Sequence, residues 1–184
     1  MAGKDRKTGG TAGNRFWDFS LAVYGHGEVA AACLALQDRH GVDVNVLLFC
    51  AWAGSRGHVL RAGELADLMA AARPWQETVI APLRAVRRRL KAMAAAPESA
   101  IDRLREQVKG AELAAESVQQ RLLFERLAIA AGDGAPGLAG GNMIAYLTAL
   151  GIAADAVDLV DLAAVLRGCY PDLSPLQAVW AVAD

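Results

Sequence analysis

Arg84, Arg87, Arg88 and Lys91 recur at spacings that place them along one side of a helix, with Arg89 pointing elsewhere. A row of cations like this binds phosphates or an acidic partner, or else is a solvated or internally neutralised face. No basic aromatic platform accompanies it, and an isoelectric point near 6.3 argues against a dedicated nucleic-acid binder. Glu112 and Glu116 lie one helical turn apart, a spacing that metal-binding bundles use. Those sites also need Glu-x-x-His elements, whereas His26, His40 and His58 all fall near helix ends or in loops of the N-terminal half. The expectation is therefore no metal and no cofactor, with both glutamates paired to the arginine stripe.

Thiol chemistry is the next candidate. Cys33 and Cys50 sit on apolar helical faces, where a free cysteine behaves as a small buried hydrophobe, so no catalytic residue is assigned. Gly25-His26-Gly27 lacks the strand, third glycine and lysine of a phosphate-binding loop and reads as a turn between helices. Trp17, Trp52, Trp75 and Trp180, with neighbouring phenylalanines and Tyr24, are core residues or the lining of a pocket between helices. Gln37 and Asn45 are the polar groups that would need partners inside such a core.

The elements that position these residues are helical throughout. Hydrophobic residues make up 54% and aromatics only 6%; alanine and leucine dominate, which favours helix over strand. Asn14 caps a helix from Phe16 to about Tyr24, and Val29, Ala32, Cys33 and Leu36 mark a second that ends near His40-Gly41. Asp43 caps a third, Val44 to Ala53, apolar nearly all round as in the centre of a bundle. A shorter helix spans Ala62 to Ala72, Pro74 opens the next, and Pro82 kinks or restarts it. Val79, Leu83, Val86, Leu90 and Met93 form one seam; Ile101, Leu104, Val108, Ala111, Ala115, Val118 and Leu122 form another. The second helix starts at Pro97-Glu98 and runs to about Ala131, so the pair predicts a long antiparallel hairpin.

Residues 132–141, GDGAPGLAGG, read as a linker, followed by short helices at Asn142 to Leu150, Ala154 to Arg167 and Ser174-Pro175 to Val182. The predicted fold is all-α: a disordered tail over 1–14, a helical bundle domain over 15–131, the linker, and a C-terminal helical extension over 142–184. A chain ending near Ala131 is expected to stay folded.

Charge is uneven along the chain. Arg73 to Lys109 holds nine basic residues against four acidic ones, and the excess reverses beyond Ala111, so the two halves are able to pair. Three widely separated cysteines form no disulfide framework and point to a reducing cytoplasm. The tail has no apolar segment behind its lysines and is not a secretory signal. Gly134 to Ala154 is long enough to cross a bilayer, but Pro136, Asn142 and repeated glycines argue against a membrane span.

The segment FWDFSLAVYGHGEVAAACLALQDRHGVDVNVLLFCAWAG, followed by Trp75, PLRAVRRRLK and GAELAAE, resembles a family of small helical proteins of proteobacteria classed as a domain of unknown function. The resemblance covers about Phe16 to Ala130. It implies bacterial, cytoplasmic and helical character and supplies no activity. The first functional expectation is a non-enzymatic protein–protein interaction or assembly module, with a protein partner or self-association. The alternative is a binding protein or enzyme for an apolar or anionic small molecule, with an aromatic-lined pocket. Between them these draw on Arg84, Arg87, Arg88, Lys91, Gln37, Asn45, Glu112, Glu116, Trp52 and Trp75.

Overall fold

The computed structural model describes residues 14–183 apart from 94, 95 and 97. The tail expected over residues 1–14 therefore lies outside the described residues except for Asn14. That residue is buried, and its side-chain oxygen accepts from the Phe16 and Trp17 amides at 3.1 and 3.2 Å, opening α1 (Arg15–Tyr24). α2 (Val29–His40) ends on Gly41, whose φ of 68° is the left-handed stop that glycine supplies without strain. α3 (Val44–Ser55) is capped by Asp43, which accepts from the Asn45 amide at 2.9 Å. Every residue from Asn45 to Gly54 is buried, so α3 is the axis of the molecule, as its uninterrupted apolar surface requires.

Pro74 and Pro82 do not divide the next segment as expected. α4 (Ala62–Trp75) runs through Pro74 into a π-helical turn, Gln76–Ile80, and on into α5 (Ala81–Met93). The Ala81 amide donates to the Gln76 carbonyl five residues back. The extra residue of the wider turn re-registers the helix just where Pro82 has no N–H to offer. Pro97, expected to help open the following helix, lies outside the described residues; α6 (Ala100–Arg126) is capped by Ser99, which accepts from the Asp102 amide. It stops short of Ala131. α5 and α6 pack as an antiparallel pair, with Arg84 reaching Glu116 and Arg87 reaching Glu112.

The division into bundle, linker and extension is corrected by the fold. α7 (Pro136–Ala149) begins inside the supposed linker, lies along α3, and is followed by α8 (Ala156–Cys169) and α9 (Pro175–Ala183). Ala139, Met143, Leu147, Leu162, Leu166 and Val182 belong to the same buried cluster as Phe16, Leu47 and Phe49. The glycines serve close approach instead of flexibility. A Cβ on Gly134 would fall 1.8 Å from the Gly54 carbonyl oxygen, and one on Gly54 would fall 2.3 Å from the Ala139 Cα. Tyr170 Oη donates to the Gly134 carbonyl at 2.9 Å, fixing this segment against the start of the last hairpin. A chain ending at Ala131 would leave the α7 face of α3 uncovered, contrary to the expectation that it stays folded.

Buried polar pairs join the two halves. The Asn142 side chain accepts from the Leu60 amide and donates to the Cys50 and His58 carbonyls. Asp158, 1% exposed, accepts from Arg39 and pairs with His40 Nε2, both at 2.8 Å. No single described helix is long and apolar enough to cross a membrane. The fold is all-α among the described residues.

Candidate ligand pocket

The arginine stripe is split by its surroundings. Arg84 donates from Nε to Glu112 and from Nη2 to Glu116, both at 2.9 Å, and Arg87 donates to both oxygens of Glu112. Glu112 is buried; burial alone would raise its carboxyl, but the hydrogen bonds from Arg87 and Arg84 outweigh it and hold the group below its ordinary value. Arg88 stays exposed and reaches Asp38 at 3.2 Å, while Lys91 is exposed. Half of the stripe is thus an internal clamp that fixes α5 on α6.

The two tryptophans singled out by sequence do structural work. Trp52 packs with Phe16, Phe49 and Phe124 at ring separations of 5.3 to 5.7 Å, and Trp75 donates its indole N–H to the Ala115 carbonyl at 2.8 Å. Neither lines the pocket that Gln37, Asn45, Arg84 and Glu116 share, and Arg87, Arg88, Lys91 and Glu112 do not line it either.

That pocket, about 130 Å³, opens between α1, α2, α3, α5 and α6. Leu21, Leu34, Leu48 and Leu113 supply apolar wall, and Trp17 and Tyr24 supply aromatic surface. The polar wall brings together Gln37, Asn45, Arg84 and Glu116, four of the residues expected from sequence, with Ser20, Asp43, Gln76 and Gln120, which sequence reading did not select as site residues.

Behind the wall runs a chain of amides anchored on a carboxylate. Gln119 Nε2 donates to Asp43 Oδ2 at 2.7 Å and to the Ala72 carbonyl at 3.2 Å. Asn45 Nδ2 donates to Gln119 Oε1 at 2.5 Å, and Gln120 Nε2 donates to Asn45 Oδ1 at 2.7 Å. A carboxylate only accepts, so Asp43 dictates which way every amide in the series faces. The last group, Gln120 Oε1, is left buried without a donor. Among the described residues five buried side-chain polar atoms lack partners, and three of them, Ser20 Oγ, Gln37 Oε1 and Gln120 Oε1, belong to residues lining this pocket.

Burial pushes the carboxyls of Asp43 and Glu116 above their ordinary values; the Gln119 side-chain amide and the Asn45 backbone N–H oppose it at Asp43, and Arg84 opposes it at Glu116. Burial likewise raises Tyr24. The thiol of Cys33 is pushed up to about 12 by burial and that of Cys50 higher still, so both remain protonated and inert at neutral pH. The histidines are dispersed, with His40 on Asp158 and His58 on Glu64.

Gln119 and Gln120 escaped notice because most of the seam assigned to α6, Ala115 excepted, does not face the core. Leu104, Val118 and Leu122 are exposed, whereas Glu112, Ala115, Gln119, Gln120 and Leu123 point inward. The adjacent glutamines just before the apolar run Leu122-Leu123-Phe124 were the available signal. No curated protein and no solved structure matches the chain. A family model described as a protein of unknown function, DUF2390, matches residues 15–123, which include α1 to α5 and most of α6, and the chain belongs to that family.

Proposed function

We propose that this protein binds a small molecule in the pocket between α1, α2, α3, α5 and α6. The observation that carries this reading is the set of three unpartnered polar atoms, on Ser20, Gln37 and Gln120, around one cavity with apolar walls. A buried polar atom without a partner costs about 1–3 kcal/mol, and a ligand that supplies the missing hydrogen bonds recovers it. The expected interaction module loses two of its supports. Half of the arginine stripe, Arg84 and Arg87, is neutralised by Glu112 and Glu116, and the C-terminal helices are packed into the core.

Isotope-resolved NMR of the full chain against a library of small polar compounds tests the proposal. Binding should shift the side-chain amides of Gln120 and Gln37 and the backbone amide of Ser20. Leu113→Trp, which adds bulk at a half-exposed wall position, should abolish those shifts. Compounds that perturb only other surfaces, with or without this substitution, would refute the pocket.

Self-association is the second reading. It is supported by the apolar pairs that α8 and α9 leave to solvent, Val157 with Val160 and Leu176 with Trp180. Sedimentation of wild type against Trp180→Glu separates a dimer from a monomer. The bacterial cytoplasm remains the proposed setting, supported by three free cysteines that suit a reducing compartment.

A further inference from the structure

We infer that the pocket selects a compact cation rich in N–H donors, a protonated amine of about six heavy atoms, because its orientation-fixed unpartnered atom, the Gln120 carbonyl, is an acceptor and its wall carries more carboxyl groups than guanidinium. The inference rests on the pocket reading given above and adds the chemical class of the ligand.

Orientation comes first. Gln120 is 3% exposed, and its amide cannot turn over without bringing its carbonyl oxygen against the carbonyl oxygen of Asn45, two acceptors with no proton between them. Asn45 is held in turn by Gln119, and Gln119 by the Asp43 carboxylate and the Ala72 carbonyl. The Gln120 carbonyl is thus a built acceptor, and only a donor satisfies it. Ser20 Oγ, also 3% exposed, is free to accept a second such bond.

Charge points the same way. Asp43, Glu112 and Glu116 face two guanidiniums, and Glu112 already occupies Arg87 and the Nε of Arg84. Burial disfavours the ionised forms of Asp43 and Glu116, and Arg84 is the guanidinium this wall offers them as a counter-charge. A cation removes that penalty, whereas an anion would add a fourth carboxylate-like charge against Arg84. Trp17 and Tyr24 add aromatic surface to the lining, and the leucines suit a short hydrocarbon body. A dry cavity of about 150 Å³ accommodates a six-membered ring, so the volume of about 130 Å³ limits the ligand to that size.

Three probes of six heavy atoms each decide the class: cyclopentylammonium, cyclopentanol and cyclopropanecarboxylate, titrated into the full chain at neutral pH and constant ionic strength by NMR. The ammonium is expected to bind at least tenfold more tightly than the carboxylate and to shift the Gln120 side-chain amide most. Glu116→Gln keeps the shape and an acceptor for Arg84, so it should weaken the ammonium about tenfold and leave the alcohol unchanged. Tighter binding of the carboxylate, or an ammonium affinity untouched by Glu116→Gln, would overturn the cation assignment while leaving the pocket in place. Failure of all three probes to shift Gln120 would overturn both.

Discussion

Asp43 and Gln119 meet at 2.7 Å, carboxylate to amide, and through that one contact the cap of α3 sets the polarity of the pocket wall. Gln119 is fully buried and joins Asp43, Asn45 and the Ala72 carbonyl. Gln119→Leu should cost about 3 kcal/mol in urea unfolding, since it strands a buried carboxylate oxygen and the Asn45 amide at once. A cost below about 1 kcal/mol would mean that the series is not coupled.

The arginine stripe predicts two unequal substitutions. Glu112 holds Arg84 and Arg87 from a buried position, so Glu112→Ala should destabilise by about 3 kcal/mol, chiefly by leaving the partly buried Arg87 guanidinium unpaired and Arg84 with Glu116 alone. The Arg88–Asp38 pair is more than half exposed on both sides, and Arg88→Ala should change stability by less than about 0.5 kcal/mol. Denaturant midpoints at constant slope compare the two.

Neighbouring glycines in α7 should respond with opposite signs. A Cβ on Gly140 would lie 2.2 Å from the Ala181 carbonyl oxygen, so Gly140→Ala forces α9 away and should cost about 2 kcal/mol or more. Gly141 faces open space, and Gly141→Ala should stabilise by about 0.5–1 kcal/mol through helix propensity alone. Thermal melts of the two variants read the difference directly.

Acid should weaken the fold in part through Asp158. Burial pushes its carboxyl up, but hydrogen bonds from Arg39 and His40 and from the Asp155 amide outweigh this and hold it below its ordinary value; Asp161 is the other carboxylate on Arg39. A depressed carboxyl contributes stability above the unfolded value, near pH 4, and the contribution is lost as pH falls through the folded value. Glu116 has the opposite sign, because burial raises it: its favourable contribution is present below about pH 4 and is lost as pH rises through the folded value. Unfolding free energies from acid to neutral pH should therefore show a shallower acid limb in Asp158→Asn. In Glu116→Gln the loss on the rising side should disappear.

The local chemistry of the chain was legible before the fold. Asn14, Asp43 and Gly41 fix their helix ends by bonds within a few residues, and the apolar circumference of α3 can only be satisfied at the centre. The pairing of Arg84 and Arg87 with Glu112 and Glu116 followed from antiparallel register. Three things were decided by tertiary packing. An alanine-rich helix such as α6 has so little contrast between its faces that neighbours choose which side is buried, and they chose Glu112, Gln119 and Gln120 over Leu104 and Leu122. Glycines at 134 and 140 read equally as hinge and as contact until the backbone of another segment lies against them. The donor-seeking carbonyl of Gln120 exists only because Asp43, more than seventy positions away, orients the amides between them.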